Sequence, residues 1–179
     1  MMGITMHTLT LLLLTALLSG CTHLFFHPHR ILVDTPDQFN LEYQVEKIKT
    51  ADGILLNAWF LSAQNNPAKN NLILPKIKPE AKATVLFLHG NAENISTHFR
   101  SIAWLSREGF NVLALDYRGY GESEGVPTLA GMQLDIDAAM RSLLVHQDVN
   151  PNKMIVFGQS LGGALAIHYT AHSAYRAHI

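Results

Sequence analysis

From about residue 84 onward, short apolar runs alternate with longer stretches in which apolar and polar positions mix. The apolar runs begin "TVLFLHG" (84–90), "NVLALDYRGYG" (111–121) and "KMIVFGQS" (153–160), and each leads into glycine or a glycine-rich turn. Continuous apolar runs of this length are typical of strands buried on both faces of a sheet. Strands that alternate with helical stretches predict a parallel sheet covered by helices on both faces.

Three helical stretches lie between and after these strands. The first is predicted over about residues 97–108, ended by Gly109, and the third over residues 161 to about 174. The middle one is predicted to open at Pro127, because proline is tolerated in the first helical turn. Its apolar positions recur at steps of three and four residues, which predicts one buried face. These positions are Leu129, Met132, Ile136, Met140, Leu143 and Leu144.

The part of the chain before residue 84 has a different pattern. Residues 41–61 form two β-rich runs broken by Ala51-Asp52-Gly53, which predicts a hairpin. Residues 64–82 are rich in Asn, Pro and Lys and predict a surface loop. We therefore expect a signal peptide over residues 1–20, a tether over 21–38 and one folded domain over 39–179.

The first 20 residues contain no Asp, Glu, Lys or Arg, and residues 9–18 are almost wholly apolar. That run is shorter than the roughly 20 residues that span a bilayer, and it suits the core of a signal peptide. It leads into Leu18-Ser19-Gly20-Cys21, which resembles the bacterial lipoprotein cleavage box, in which the cysteine is lipidated. Signal peptides usually begin with a positive charge, and here only His7 stands in that place. The alternative is an ordinary signal peptide or anchor with a free thiol.

The resemblance to lipoproteins implies a location in the bacterial cell envelope, with the chain anchored to a membrane through lipidated Cys21. Thr22 follows the cysteine, where an Asp would favour retention in the inner membrane, so the outer membrane is favoured. Cys21 is also the only cysteine, which excludes an intramolecular disulfide.

The amino-acid composition and the net charge argue against some classes of function. The chain has 179 residues, 48% hydrophobic and 15% charged, as expected for one ordinary globular domain. The formal net charge is −1, which gives no electrostatic reason to expect a nucleic-acid partner. The ten histidines are scattered rather than set at metal-ligand spacing, so no metal site is predicted.

The strongest chemical motif is Gly158-Gln159-Ser160-Leu161-Gly162, which fits G-x-S-x-G. A serine at the tip of a sharp strand-to-helix turn has a strained backbone, so the residues two positions away must be nearly free of side chain. The motif follows an apolar strand and precedes a helix, as this mechanism requires. Ser160 is therefore the predicted nucleophile. The alternative is a glycine-rich turn in which the serine is incidental.

A second motif, His89-Gly90-Asn91-Ala92, ends the first apolar strand. An oxyanion hole needs two backbone N–H donors, one after the nucleophile and one from the loop after this strand. The amides of Leu161 and Asn91 are the candidates, and Gly90 lets the backbone approach a substrate. His89 is expected to order the loop by hydrogen bonding rather than to act as the base.

Three segments together, "FLHGNAEN", "LDYRGYGESEG" and "VFGQSLGGALAIH", resemble the α/β-hydrolase superfamily in sequence and order. They look most like its bud-emergence-homologue branch and the neighbouring serine aminopeptidase-like and acyl-protein thioesterase-like proteins. The resemblance covers roughly residues 40–175. It implies a mostly parallel eight-stranded sheet and cofactor-free hydrolysis of esters, thioesters or amides in small acyl or peptide-like substrates. It also implies that Ser160 is the nucleophile and that Asp116 supports a loop.

By the same resemblance, a triad acid and a histidine should follow Ser160 on later strands, but only 19 residues follow it. His168 and His172 would lie ~12 and ~18 Å along the helix axis, too far for a base, and His178 is near the chain end. We therefore expect a partial α/β-hydrolase domain of about five of the eight strands, truncated after the helix that follows the nucleophile.

Three readings follow from that expectation. The chain is the N-terminal part of a lipid-anchored serine hydrolase that lacks its triad acid and histidine. Alternatively, it is a non-catalytic anchored protein that binds a partner, or itself, at the open edge of the strand before Ser160. A third possibility is an enzyme completed by another chain.

Overall fold

The computed structural model describes residues 25–64 and 80–173. The predicted signal peptide, Cys21 and most of the predicted loop over 64–82 lie outside the described residues, as does the end of the chain from residue 174.

Within these ranges, the predicted strands and helices follow one another in the predicted order, and two short strands that were not predicted are also present. The strands are β1 (His27–Pro28), β2 (Gln44–Lys49), β3 (Leu55–Leu61), β4 (Thr84–Leu88), β5 (Ala92–Glu93), β6 (Asn111–Leu115) and β7 (Met154–Gly158). The α-helices are α1 (Ile95–His98), α2 (Ala103–Arg107), α3 (Leu129–Val145) and α4 (Leu161–His172). Two short 3₁₀ helices cover Pro36–Phe39 and Phe99–Ser101.

Five strands form one mixed sheet in the order β2-β3-β6-β4-β7. The predicted hairpin is present as the antiparallel pair β2 and β3, and β3 is also antiparallel to β6. β4 lies between β6 and β7 and is parallel to both. The carboxyl ends of these three parallel strands therefore meet at one edge of the sheet, where Ser160 and the loop after β4 are found.

Alternate residues of the central strands point to opposite sides of the sheet, and both sides are buried. Leu86 and Leu88 of β4 join a core with α3 and α4, whereas Val85 and Phe87 join a second core with α1. β4 and β6 are buried at every position, as predicted. β7 is not: Phe157 is exposed, because among the described strands only β4 pairs with β7.

The helices differ from the sequence prediction in their boundaries. The helix expected over residues 97–108 is three short pieces, α1, a 3₁₀ turn and α2. α3 begins at Leu129 rather than at Pro127, because the Thr128 side chain caps it by accepting a hydrogen bond from the Gly131 amide at 3.0 Å. The predicted apolar face of α3 is buried except at Leu129, which is exposed, and Leu144, which is half-buried.

Residues 25–34, which the sequence assigned to a tether, instead pack against the domain; we call them the N-terminal strap. β1 pairs in parallel with β5, and Phe26 is buried in the core beside α3. The pattern of prolines in this stretch gave no sign of that packing, because it depends on contacts with residues more than 60 positions away. In the described ranges, no helix combines the length and apolar character that crossing a bilayer requires.

Candidate active site

Ser160 stands at the turn between β7 and α4, with its backbone at φ 55° and ψ −115°. A residue other than glycine rarely adopts such a positive φ, and holding it there costs about 1–3 kcal/mol. The side chain makes no capping hydrogen bond to α4 and is exposed at the carboxyl end of the sheet. The predicted placement of this serine on a strained strand-to-helix turn is therefore found in the structure.

The two motif glycines are required by close backbone contacts. A Cβ atom at Gly162 would lie 2.0 Å from the carbonyl oxygen of Leu88, at the end of β4. A Cβ atom at Gly158 would lie 2.2 Å from the carbonyl oxygen of Gly162. Such distances are far below van der Waals contact, so the turn closes only without side chains at these positions. The Gln159 amide also donates to the Leu88 oxygen at 3.0 Å, which fixes the turn against β4.

The loop after β4 lies beside the serine, as the sequence predicted for an oxyanion hole. A Cβ atom built on Gly90 would lie 3.7 Å from Cβ of Ser160 and 3.8 Å from the Gln159 carbonyl oxygen. Among the described residues, the amides of Asn91 and Leu161 donate to no other backbone carbonyl. Neither amide is therefore committed to a backbone hydrogen bond in the part of the chain that the structure describes.

His89 orders this loop from within the core. Its Nδ1 lies 2.7 Å from the Gly90 carbonyl oxygen, and its Nε2 lies 3.5 Å from Oδ1 of Asp116. Burial lowers the pKa of His89 to about 3, so its ring is neutral at physiological pH and its Nδ1 donates to Gly90. A ring that is fully buried and engaged in this way cannot serve as the base for Ser160.

Asp116 also acts in support of the loop. Its Oδ1 accepts a hydrogen bond from the Ile95 amide at 2.8 Å, which ties the end of β6 to the start of α1. Burial raises the pKa of Asp116 to about 7. Asp116 faces His89 inside the protein rather than the exposed serine, which agrees with a structural role.

Two tyrosines complete the support of the loop. The Tyr117 hydroxyl donates to the His89 carbonyl oxygen at 3.0 Å, and the Tyr120 hydroxyl donates to the Asn91 carbonyl oxygen at 2.8 Å. Both rings also pack against the His89 imidazole. Side chains of the segment that follows β6 therefore hold the backbone of this loop in place.

His98 is a site residue that the sequence did not single out. Its Nε2 lies 3.0 Å from the Ala92 carbonyl oxygen and its Nδ1 lies 3.3 Å from Oε1 of Gln159, so it bridges the loop and the nucleophile turn. Its ring stacks on His89, and its Cε1 atom lies 3.3 Å from the Cβ position of Gly90. No motif spacing indicated this, because the short helix α1 is what returns His98 to the site.

The two described histidines of α4, which the sequence analysis had considered as possible bases, lie away from the serine. His168 and His172 are exposed on α4 and stack on each other, with ring centroids 4.4 Å apart. This agrees with their prediction as surface residues. His178 lies outside the described residues.

Comparisons with known proteins show which family the chain belongs to. The model of the family described as serine aminopeptidase, S33, matches residues 79–179. The chain is 40% identical over 129 residues to the uncharacterized protein YfhR of Escherichia coli, and the match covers 72% of this chain and 41% of YfhR. It is 36% identical over 146 residues to protein bem46 of Schizosaccharomyces pombe, covering 80% of this chain and 44% of bem46.

Solved structures give a similar picture. An esterase of Pyrococcus furiosus, PF2001, superposes with a TM-score of 0.63 at 27% identity, covering 84% of this chain and 53% of the esterase. The α/β hydrolase GrgF of a Penicillium species superposes with a TM-score of 0.63 at 19% identity, covering 76% of this chain and 44% of GrgF. The chain therefore spans about two fifths of the sequence relatives' length and about half of these structures.

Proposed function

Because this chain belongs to the serine aminopeptidase S33 family of α/β hydrolases, we propose that it carries the nucleophile of a serine hydrolase. The reaction is hydrolysis of a carboxylester, thioester or amide bond through an acyl-enzyme on Ser160. The observation that carries this proposal is the exposed serine at φ 55° between β7 and α4, close to two backbone amides that donate to no backbone carbonyl among the described residues. A buried serine in regular helix would offer neither access nor this geometry.

In the proposed mechanism, Ser160 Oγ attacks the substrate carbonyl carbon while a base removes the hydroxyl proton. The amides of Leu161 and Asn91 donate to the oxyanion of the tetrahedral intermediate. The proton then passes to the leaving group, and water releases the acyl group in a second, equivalent step. We assign the base and its acid to sequence beyond the aligned region, since YfhR is more than twice as long as the segment that matches it.

Labelling of Ser160 by a fluorophosphonate probe tests the proposal. Because activation of Ser160 needs a base and an acid that lie beyond the aligned region, the test uses the protein in native membranes together with the sequence that supplies them. We expect this protein to be labelled and Ser160→Ala to lose the label completely. Ser62→Ala is the control, because Ser62 follows β3 at the opposite end of the sheet and should keep the label. Equal labelling of Ser160→Ala, or no label on the unaltered protein, would contradict the proposed nucleophile.

We also propose that the chain is anchored in the bacterial cell envelope through lipidated Cys21, with the outer membrane as its site. The support is the sequence Leu18-Ser19-Gly20-Cys21 after an apolar run. An alkyne fatty acid supplied to the cells should be incorporated into the unaltered chain and not into Cys21→Ser. Incorporation that survives this substitution would show attachment elsewhere and overturn the assignment.

A second candidate function is non-catalytic binding at the open edge of β7. The observation that favours it is the exposure of Phe157 on a strand that pairs, among the described strands, with β4 alone. A chain that never reacts with the fluorophosphonate, but forms dimers that Phe157→Lys dissociates, would favour this candidate over the hydrolase.

A further inference from the structure

The N-terminal strap, residues 25–34, is part of the structure that holds the predicted oxyanion loop. β1 pairs in parallel with β5, placing His27 opposite Ala92 and Pro28 opposite Glu93. The His29 amide donates to the Glu93 carbonyl oxygen at 3.1 Å. The strap is therefore hydrogen-bonded, through its backbone, to the segment directly after Asn91.

Two asparagine side chains extend this attachment. Asn91 donates through Nδ2 to the Phe25 carbonyl oxygen at 2.6 Å. Buried Asn94 donates through Nδ2 to the carbonyl oxygens of His29 and Ile31, both at 2.9 Å. Since Asn91 also supplies a candidate oxyanion amide, the strap is hydrogen-bonded to the same loop that lies beside Ser160.

The strap exposes three large apolar side chains alongside His27, His29 and Arg30, and it has no acidic side chain before Asp34. Phe25, Ile31 and Val33 are 56%, 68% and 57% exposed. Residues 22–33 contain no Asp or Glu but include three histidines and Arg30. The guanidinium of Arg30 donates to the carbonyl oxygens of Gly121 and Ser123, so the exposed apolar side chains are the part of the strap that suits the interfacial region of a bilayer.

The length of chain before the strap limits what can cover this surface. Only Thr22, His23 and Leu24 separate Cys21 from Phe25. Four fully extended residues reach at most ~14 Å, so a lipid on Cys21 would hold Phe25 within that distance of the bilayer surface. A protein partner would have to fit into this short space between the strap and the membrane. The membrane itself would contact the strap without any further component.

We propose that the exposed face of the strap, formed by Phe25, Ile31 and Val33, docks on the bilayer that holds lipidated Cys21. In this docked position, the exposed side of Ser160 faces the same bilayer. This inference rests on the proposed anchor and deepens the proposed function, because it names the substrate class: amphiphilic acyl esters or thioesters whose chains lie in the same membrane leaflet.

The test measures orientation on the membrane and needs no catalysis. In the lipidated chain Cys21 is blocked, so Ser160→Cys and Lys153→Cys each introduce one reactive thiol for a nitrobenzoxadiazole dye. Lys153 is exposed just before β7, and the five residues of that strand place it ~17 Å from the Ser160 end. The labelled proteins are bound to vesicles of phosphatidylethanolamine and phosphatidylglycerol that contain a nitroxide-labelled lipid.

We expect the dye at position 160 to be quenched at least twofold more than the dye at position 153. Adding Phe25→Glu, Ile31→Glu and Val33→Glu should bring the two values together while the lipid keeps the protein on the vesicle. Val145→Glu is the matched control, because Val145 is 85% exposed at the end of α3 and should leave the difference unchanged.

Equal quenching at both positions in the protein with an unaltered strap, or stronger quenching at position 153, would overturn the orientation. An unchanged difference after the three glutamate substitutions would overturn the strap as the docking surface. Failure of the vesicles to retain the chain would overturn the anchor on which the inference rests. Fluorophosphonate labelling in native membranes, where the sequence that supplies the base and acid is present, reports the proposed chemistry separately.

Discussion

At Ser160 the backbone has φ 55° and ψ −115°, and this one conformation explains the identity of its neighbours. The chain reverses so sharply that Gly158 and Gly162 come within contact of each other, and Gly162 also contacts Leu88 of β4. The glycine, serine, glycine spacing in the sequence was therefore enough to predict the turn. His98 shows the opposite case, because nothing in its sequence neighbourhood indicated that it would bridge Ala92 and Gln159.

A comparison of two neighbouring glycines tests this explanation. Gly162→Ala should lower the free energy of unfolding by about 2 kcal/mol or more, since its Cβ would overlap the Leu88 carbonyl oxygen. Gly163→Ala is the control, because its Cβ would lie 3.4 Å from the nearest atom and alanine favours helix by about 0.5–1 kcal/mol. Urea unfolding would measure both. A loss of similar size at Gly163 would mean that helix α4, not the turn, is sensitive to substitution.

Separate elements of the fold are joined by a partly buried ion-pair network around Arg118. Arg118 follows β6, and its Nε and Nη2 donate to Oδ1 of Asp135 on α3 at 2.9 and 2.8 Å. Its Nη1 donates to Asp52 in the turn between β2 and β3 at 2.7 Å, and this guanidinium holds the pKa of Asp52 well below its usual range. The hydrophobic pattern predicted the three elements, but not the charges that connect them.

The two carboxylates of this network should respond differently to substitution. Asp135→Asn should lower the free energy of unfolding by about 3–5 kcal/mol, because Asp135 is fully buried and its loss leaves the largely buried guanidinium short of a partner. Asp52→Asn should cost much less, because its side chain is 40% exposed and water can replace it. Chemical denaturation at neutral pH would measure the difference. Equal losses would show that burial does not control the strength of these pairs.

The pH dependence of the free energy of unfolding should reflect two buried groups whose pKa values are shifted in opposite directions. His89, with its pKa lowered to about 3, stays neutral in the fold while the unfolded chain binds a proton below about pH 6.5. Its contribution to stability therefore grows as pH rises from about 3 to 6.5. Asp116, with its pKa raised to about 7, stays protonated in the fold, so its contribution declines from about pH 4 to 7. Between about pH 4 and 6.5 the two slopes offset each other.

Asp116→Asn should remove the contribution to stability that declines as the pH rises. The free energy of unfolding of the variant should then rise with pH more steeply than that of the unaltered protein, by about 1 kcal/mol per pH unit between about pH 4 and 6.5. Urea titrations at several pH values would measure the slope. Glu80→Gln, at an exposed carboxylate far from the site, is the control. An unchanged slope in Asp116→Asn would contradict the raised pKa.

The sequence by itself determined the strand order along the chain, the hairpin, the serine turn and its glycines, because these depend on local periodicity and on backbone sterics within a few residues. Only the tertiary structure decided that residues 25–34 are packed rather than a tether, that His98 joins the site, and that Phe157 is exposed on a strand expected to be buried. These features depend on which distant segments meet. A local pattern records whether a residue is apolar or polar, but not which partner it finds across the sheet.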